Sequence, residues 1–294
     1  MTNKIRHPHI VSAGYQRLFT EDGKRIRVIT KDDLARGDPA GKVISVLDNF
    51  KAKRQFLRVL VSGVADDSLE DAFALRENWA IPLLRQVQVE LEPTPDQTLA
   101  IKVMMSIHWA RSYAHESVRQ RLQPEVLDEF IAAIPHDLEL HRRFQRQYAR
   151  PPKPGELAAL LREQGEKMAH TRIHDVPAII RAYNYAVTKF EDLHVELLTP
   201  ASRSLQFITS DSPTVIARTP ELLEVGSQKM ALGDAGFVMM PIRPNLAACL
   251  SATPGHIRID NTLMYQLNRA MVRNAVSRIA AHPRCKVLEA LGRQ

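Results

Sequence analysis

Asp211 is the residue whose type and setting in this chain most suit chemistry. It follows an apolar, strand-like run and opens a Ser-Asp-x-Pro turn in the segment Leu205-Gln206-Phe207-Ile208-Thr209-Ser210-Asp211-Ser212-Pro213. A carboxylate at the exit of a buried strand can ligate a divalent cation or act as a general base. Alternatively, Asp211 is structural, because Asp in such a turn accepts backbone N–H bonds two residues further on. Both interpretations stay open here, and the adjoining Ser210 is a candidate substrate contact.

Two glutamates offer a second pair of carboxylates. Glu70 and Glu77 lie in a helical pattern, and a spacing of two helical turns places both on one face, about 10 Å apart along the axis. Together with Asp211 they would supply the oxygen ligands that Mg²⁺ prefers, in a site suited to phosphoester hydrolysis. We therefore expect Mg²⁺ as a cofactor, with Asp211 and Glu77 as catalytic residues. The alternative is a solvated helix face, which suits Glu70 near the positive helix N-terminus better than Glu77.

Basic residues provide candidate phosphate contacts. Arg269 and Arg273 share a face of the last predicted helix at i, i+4 spacing, and such pairs can hold phosphates. The net charge of +7 and the isoelectric point of about 9.5 favour polyanionic partners such as nucleic acid. The 40 basic and 33 acidic residues are interspersed, so charged faces paired with nearby acids are the alternative.

The elements that must position these residues are typical of an α+β fold. We expect an N-terminal β-hairpin, a helical middle, and a small, mostly antiparallel C-terminal sheet with a closing helix. The hairpin would pair 15–19 with 26–30 across Asp22-Gly23, and the closing helix would span 261–281. We expect one domain, 1–294, with possible sub-lobes at 1–50, 51–194 and 195–294.

Several classes of protein are excluded by what the sequence lacks. Two cysteines without a C-x-x-C motif argue against a disulfide framework and fit a reducing cytoplasm. No window approaches the ~20 apolar residues of a membrane helix, so no membrane partner is expected. A Gly-rich phosphate loop and a G-x-S-x-G elbow are both missing from the sequence. His170 and His174 lack the Glu of the H-E-x-x-H zinc motif.

Several ordered motifs together resemble DUF4238, a bacterial family of unknown function. The resemblance extends from His9 to about Ala281 and departs from the family pattern at Ser12, where Pro is usual, and at Gln16, where Leu is usual. The matching residues are His9, Tyr15 and Phe19, then Glu70 and Glu77, then Phe207, Ser210, Asp211 and Pro213, then Pro241 and Pro244, and last Asn268 and Asn274. The resemblance adds His9 as a possible catalytic acid or base, and Tyr15 as a possible substrate contact.

Two functions follow as hypotheses. The first is a metal-dependent phosphoester hydrolase of the nuclease type, in which the carboxylates converge on one cation and the arginines hold a phosphate. The second is a non-catalytic protein that binds nucleic acid or another protein, in which the same polar residues cap turns and form buried structural pairs. The two hypotheses differ in whether Asp211 is satisfied internally.

Overall fold

The structure is a computed structural model. It describes residues 10–50, 59–61, 64–66, 68–112, 128, 131–132, 138–170, 175–202, 204–218, 232–251 and 255–292. The α-helices are α1 (Ala13–Gln16), α2 (Lys31–Ala35), α3 (Ser68–Gln86), α4 (Pro95–Ala110), α5 (Leu138–Tyr148), α6 (Glu156–His170), α7 (Asp175–Glu191), α8 (Asn261–Asn274) and α9 (Val287–Leu291). The strands are β1 (Arg25–Thr30), β2 (Lys42–Ser45), β3 (Val59–Val61), β4 (Val64–Asp66), β5 (His194–Pro200), β6 (Thr209–Ser210), β7 (Val215–Ala217), β8 (Phe237–Arg243), β9 (Leu246–Ser251), β10 (Gly255–Ile259) and β11 (Arg278–Ala281).

The α+β class and the order of its parts are confirmed, but the first predicted strand is wrong. Residues 15–19 form the end of α1 and a 3-10 turn, Arg17–Phe19, instead of a strand. The side chain of Ser12 accepts a hydrogen bond from the backbone N–H of Tyr15 and so starts the helix. The hairpin-like pair is instead β1 with β2, which run antiparallel on either side of α2.

A four-stranded antiparallel sheet brings together distant parts of the chain in the order β2-β1-β11-β6. Ile29 of β1 lies opposite Ile279 of β11, which on its other side lies opposite Ser210 of β6. The prediction that the closing helix reaches Ala281 is therefore wrong in its last part. The helix ends at Asn274, and the chain continues as β11 in this sheet.

The five-stranded sheet has the order β10-β5-β9-β8-β7, and only its β10–β5 pair is parallel. Successive residues of β8 point into two different cores. Val238 and Met240 pack with the helical middle, whereas Phe237 and Met239 pack with α8. Burial on both faces explains why β8 and β9 read as unbroken apolar runs, since neither face needs polar residues.

The helical middle covers one face of this sheet. α4 packs against α3 and α7, and it begins with a capping box between Thr94 and Gln97. Further along, α5 and α6 have a small core of their own around Phe144 and Leu157. The sequence pattern also predicts a helix at 126–134, and this range lies almost wholly outside the described residues. None of the helices in the described ranges is long and apolar enough to cross a membrane.

Candidate functional site

The Asp211 carboxylate is fully engaged by a segment distant in sequence. Its two oxygens accept four hydrogen bonds, from the backbone N–H groups of Val276 (2.9 Å), Ser277 (2.8 Å) and Arg278 (3.0 Å) and from the hydroxyl of Ser277 (2.9 Å). Asp211 is 2% exposed. Its partners lie 65–67 residues further on, in the connection between α8 and β11 and at the first residue of β11, instead of two residues on as the local turn hypothesis expects.

These hydrogen bonds explain why the closing helix stops where it does. In a continuing α-helix the N–H groups of residues 276–278 would bond to carbonyls four residues earlier. Asp211 takes all three N–H groups. From the other side, the ammonium of Lys31 donates to the carbonyl oxygens of Arg273 (3.1 Å) and Ala275 (2.9 Å). Burial lowers the pKa of Lys31, and the nearby Asp211 partly offsets that effect.

Two asparagines of α8 fix the rest of the Ser-Asp-x-Pro segment. Asn268 accepts from the N–H of Ile208 (3.0 Å) and donates to the carbonyl of Gln206 (3.0 Å). Asn274 donates to the carbonyl oxygens of Ser212 (2.6 Å) and Thr214 (3.0 Å). The backbone before and after the turn is therefore bound to side chains of one helix.

Ser210 and Tyr15, both predicted to contact substrate, are completely buried. The hydroxyl of Ser210 donates to the sulfur of Met271 (3.2 Å) and accepts from the N–H of Ser212 (3.1 Å). The phenol of Tyr15 donates to the carbonyl oxygen of Pro241 (2.5 Å) and lies 3.2 Å from the hydroxyl of Thr209. Burial raises the pKa of Tyr15, so the phenol stays protonated.

Glu77 faces the protein interior and not solvent. Its carboxylate forms an ion pair with the guanidinium of Arg111 (3.4 Å), and both side chains are buried. Arg111 also lies over the ring of Phe73, at 5.6 Å from the ring centroid. The interpretation of Glu77 as part of a solvated helix face is wrong, and its carboxylate already has a cationic partner. Glu70 lies in α3, but its side chain is outside the part of the chain that the structure describes, as is all of His9.

Sequence reasoning missed His108, a buried histidine on the inner face of α4. It is 1% exposed and its ring lies 4.5 Å from that of Tyr15, centroid to centroid. Neither ring nitrogen has a hydrogen-bond partner among the described residues. Burial, reinforced by the charge of Arg111, lowers the pKa of His108 to about 3. Its position in the apolar repeat of α4 was the available signal, because such a position requires a neutral, buried imidazole.

No group of three or more His, Cys, Asp or Glu side chains within the described ranges is arranged to hold a metal ion. The carboxylates of Asp211 and Glu77 have separate partners, a backbone loop and an arginine. The expected Mg²⁺ ion stays a prediction.

Arg269 and Arg273, by contrast, lie together as predicted. Both line a cavity of about 300 Å³ at the surface. The other lining residues are apolar: Leu34 of α2, Val272 of α8 and Leu291 of α9. Arg269 is half-buried, and its guanidinium forms no hydrogen bond or ion pair with any residue that the structure describes.

Comparison with family models identifies the chain. A model described as a protein of unknown function (DUF4238) matches residues 8–285. The chain belongs to the DUF4238 family. Neither the curated proteins nor the solved structures contain a match to it.

The DUF4238 match covers all the candidate residues. Those whose side chains the structure describes lie in three places. Asp211 and Ser210 lie in the turn bound to α8, while Tyr15 adjoins His108 in the core. Glu77 pairs with Arg111, close to that histidine in sequence. The third place is the arginine-lined cavity. In this DUF4238 protein the cavity places the guanidinium group of Arg269 beside open space.

Proposed function

We propose that this protein binds nucleic acid through its phosphate groups and is not a hydrolase. The proposal is carried by the cavity in which Arg269 and Arg273 meet. Guanidinium groups at i, i+4 on one helix face project side by side, and each can form two parallel N–H···O bonds to a phosphate. The net charge of +7 adds a long-range attraction for polyanions.

The hydrogen bonds around Asp211 support binding over cleavage. A cation ligand needs open lone pairs, but the two oxygens of Asp211 already accept four hydrogen bonds. Recruiting Glu77 as well would remove the carboxylate partner of buried Arg111, which costs about 3–5 kcal/mol for a buried pair. A metal-dependent nuclease built on these residues would have to break both arrangements.

Binding can be measured by fluorescence anisotropy with labelled single-stranded RNA, single-stranded DNA and duplex DNA, between about 50 and 200 mM salt. We expect Arg269→Ala to weaken binding about tenfold and to lower the slope of log affinity against log salt by about one. Arg181→Ala is the matched control, because Arg181 is an exposed arginine of α7 that does not line the cavity. The control should retain wild-type affinity within about twofold.

The same reactions, incubated with Mg²⁺, Mn²⁺ or EDTA and analysed by gel, test the alternative. Cleavage that disappears both in EDTA and in Asp211→Ala would establish the hydrolase and contradict our proposal. If no nucleic acid binds in a salt-dependent manner, the proposal is wrong. Equal losses of affinity in Arg269→Ala and Arg181→Ala would show that only net charge matters and that the cavity is not the site.

A further inference from the structure

The cavity places the guanidinium group of Arg269 next to an apolar wall. Its volume of about 300 Å³ is at the lower end of the range for small-molecule sites. Leu34, Val272 and Leu291 come from three different helices and line the same space as Arg269. Arg269 itself has no hydrogen bond or ion pair with any residue that the structure describes. A ligand that fills this space must therefore carry an anionic group on one side and an apolar or aromatic group on the other.

Tyr265 extends this surface along α8. It lies one helical turn before Arg269 and two turns before Val272, so the three side chains project from one side of the helix. The ring is partly exposed, and its hydroxyl forms no hydrogen bond within the described part of the chain. An aromatic ring near an arginine is the combination that binds single-stranded nucleic acid, because bases stack on the ring while the cation meets the backbone.

Three basic residues in or beside the helices that line the cavity are engaged within the protein. Arg27 pairs with Glu289 of α9. At α2, Lys31 donates to two backbone carbonyl oxygens, and Arg36 pairs with Asp33. Proteins that hold a duplex by its backbone neutralise several successive phosphates with a row of cations. These three residues do not supply such a row next to Arg269.

The apolar wall further favours a single strand over a duplex. A duplex presents phosphates, sugars and the polar edges of its bases, whereas the base faces are covered by stacking. Placing a base against Leu34, Val272 and Leu291 would require a duplex to unpair and unstack that base, which costs free energy. In a single strand the base faces are accessible without that cost.

On the basis of the proposed function, we infer that this surface binds single-stranded nucleic acid and that the cavity receives one unstacked base. Arg269 contacts the phosphate of that nucleotide, and the base lies against the apolar wall. The neighbouring base stacks on the ring of Tyr265. The phosphate contact requires only Arg269, and the two base contacts distinguish a single strand from a duplex.

Fluorescence anisotropy with three DNA ligands of one length tests the base contacts at a fixed salt concentration of about 100 mM. The ligands are a single strand, the same sequence as a duplex, and an abasic strand that keeps the sugars and phosphates. The single strand should bind about tenfold more tightly than either of the others, because only it offers accessible base faces to the wall and to Tyr265.

Variants at uncharged positions test the location. Tyr265→Leu removes the ring, and Leu291→Asn makes the wall polar at a partly exposed position. Each should weaken binding of the single strand about fivefold to tenfold and leave duplex binding within about twofold of wild type. Tyr265→Phe keeps the ring and should retain wild-type affinity. Tyr185→Leu is the matched control, because Tyr185 is an exposed tyrosine of α7 that does not line the cavity. Melting temperatures within about 2 °C of wild type verify that the variants are folded.

The outcomes separate this inference from the proposed function. If the single strand and the duplex bind equally and both lose affinity in Arg269→Ala, the proposed function holds and the inference is wrong. An abasic strand that binds as tightly as the single strand also overturns the inference, since the wall then contacts no base. A preference for the single strand that persists in both Tyr265→Leu and Leu291→Asn shows that the bases bind elsewhere, and the inference again fails. If none of the three ligands binds, the proposed function fails together with the inference.

Discussion

Replacing Asp211 by alanine should strongly destabilise the protein. Asp211→Ala removes an acceptor for three backbone N–H groups and one hydroxyl. Hydrogen bonds to a charged group contribute about 1.5–3 kcal/mol each, and their sum is reduced because the bonds share one carboxylate and water can reach the partly buried donors. We expect a loss of about 4 kcal/mol, equivalent to about 8 °C in melting temperature for a chain of this size.

Two milder substitutions at the same place give a graded series. In Asp211→Asn the amide oxygen can still accept the three bonds made by Ser277 and Arg278, but the amide nitrogen then faces the N–H of Val276. We expect a cost of about 2 kcal/mol. Ser277→Ala removes the hydroxyl bond alone and should cost about 1 kcal/mol.

Urea unfolding, monitored by circular dichroism, measures this series. Asp192→Ala is the control, because Asp192 is an exposed acid beyond the end of α7 and should change stability by less than about 0.5 kcal/mol. If Asp211→Ala is as stable as Asp192→Ala, the four hydrogen bonds do not hold the α8–β11 connection and the reasoning is refuted. Unchanged stability combined with loss of a Mg²⁺-dependent activity would assign Asp211 to catalysis.

Three further predictions concern the core and one turn. In urea unfolding, Gly41→Ala should cost about 2 kcal/mol more than Gly23→Ala. Both glycines have positive φ, but of the two only Gly41 would place a Cβ 2.6 Å from a backbone carbonyl oxygen, that of Val28. Equal costs would contradict this close approach. The pKa of His108 is about 3 in the folded protein, below its value of about 6.5 in the unfolded chain. Below pH 6.5 the unfolded chain therefore binds a proton that the folded protein does not, and the free energy of unfolding falls as the pH is lowered toward 3. Between pH 6.5 and 5 wild type should lose about 2 kcal/mol more than His108→Phe, and identical pH profiles of unfolding would show that the histidine is not held neutral. Glu77→Leu should lower the free energy of unfolding by about 3–5 kcal/mol, and adding Arg111→Met should restore much of that stability. If the losses of the two single variants simply add in the double variant, the two side chains are not coupled.

The local elements of this fold are largely predictable from sequence. Apolar positions at strand or helix spacing, with flanking Pro or Gly, predict a strand at 246–251 and helices at 138–148 and 156–170, and the structure has all three: Leu246–Ser251, Leu138–Tyr148 and Glu156–His170. The strand expected at 15–19 is wrong because Tyr15, Leu18 and Phe19 have the i, i+3, i+4 spacing of a helix, and the side chain of Ser12 caps the start of that helix.

The candidate site was predictable in its residue types but not in its contacts. The arginine pair needed only helical spacing to be found, since residues four apart on a helix face the same side. Glu77 was assigned to a face by the same rule, but its distance from Arg111 depends on how α3 packs on α4. His108 belongs to no motif, and its position among the apolar residues of α4 was the signal in the sequence that it is buried.

The sequence by itself determined that Asp211 opens a rigid turn after an apolar strand, and that Asn268 and Asn274 lie on one helix, because both facts depend on neighbours within a few residues. Only the tertiary structure decided what these side chains bind. A carboxylate satisfies whichever N–H groups the fold brings to it, and here those belong to a segment more than sixty residues away. That contact ends α8 at Asn274 and turns Arg278–Ala281, an alanine-rich segment that the sequence pattern assigns to the helix, into a strand. Local propensity is worth a few tenths of a kcal/mol per residue, and several charge-assisted hydrogen bonds outweigh it.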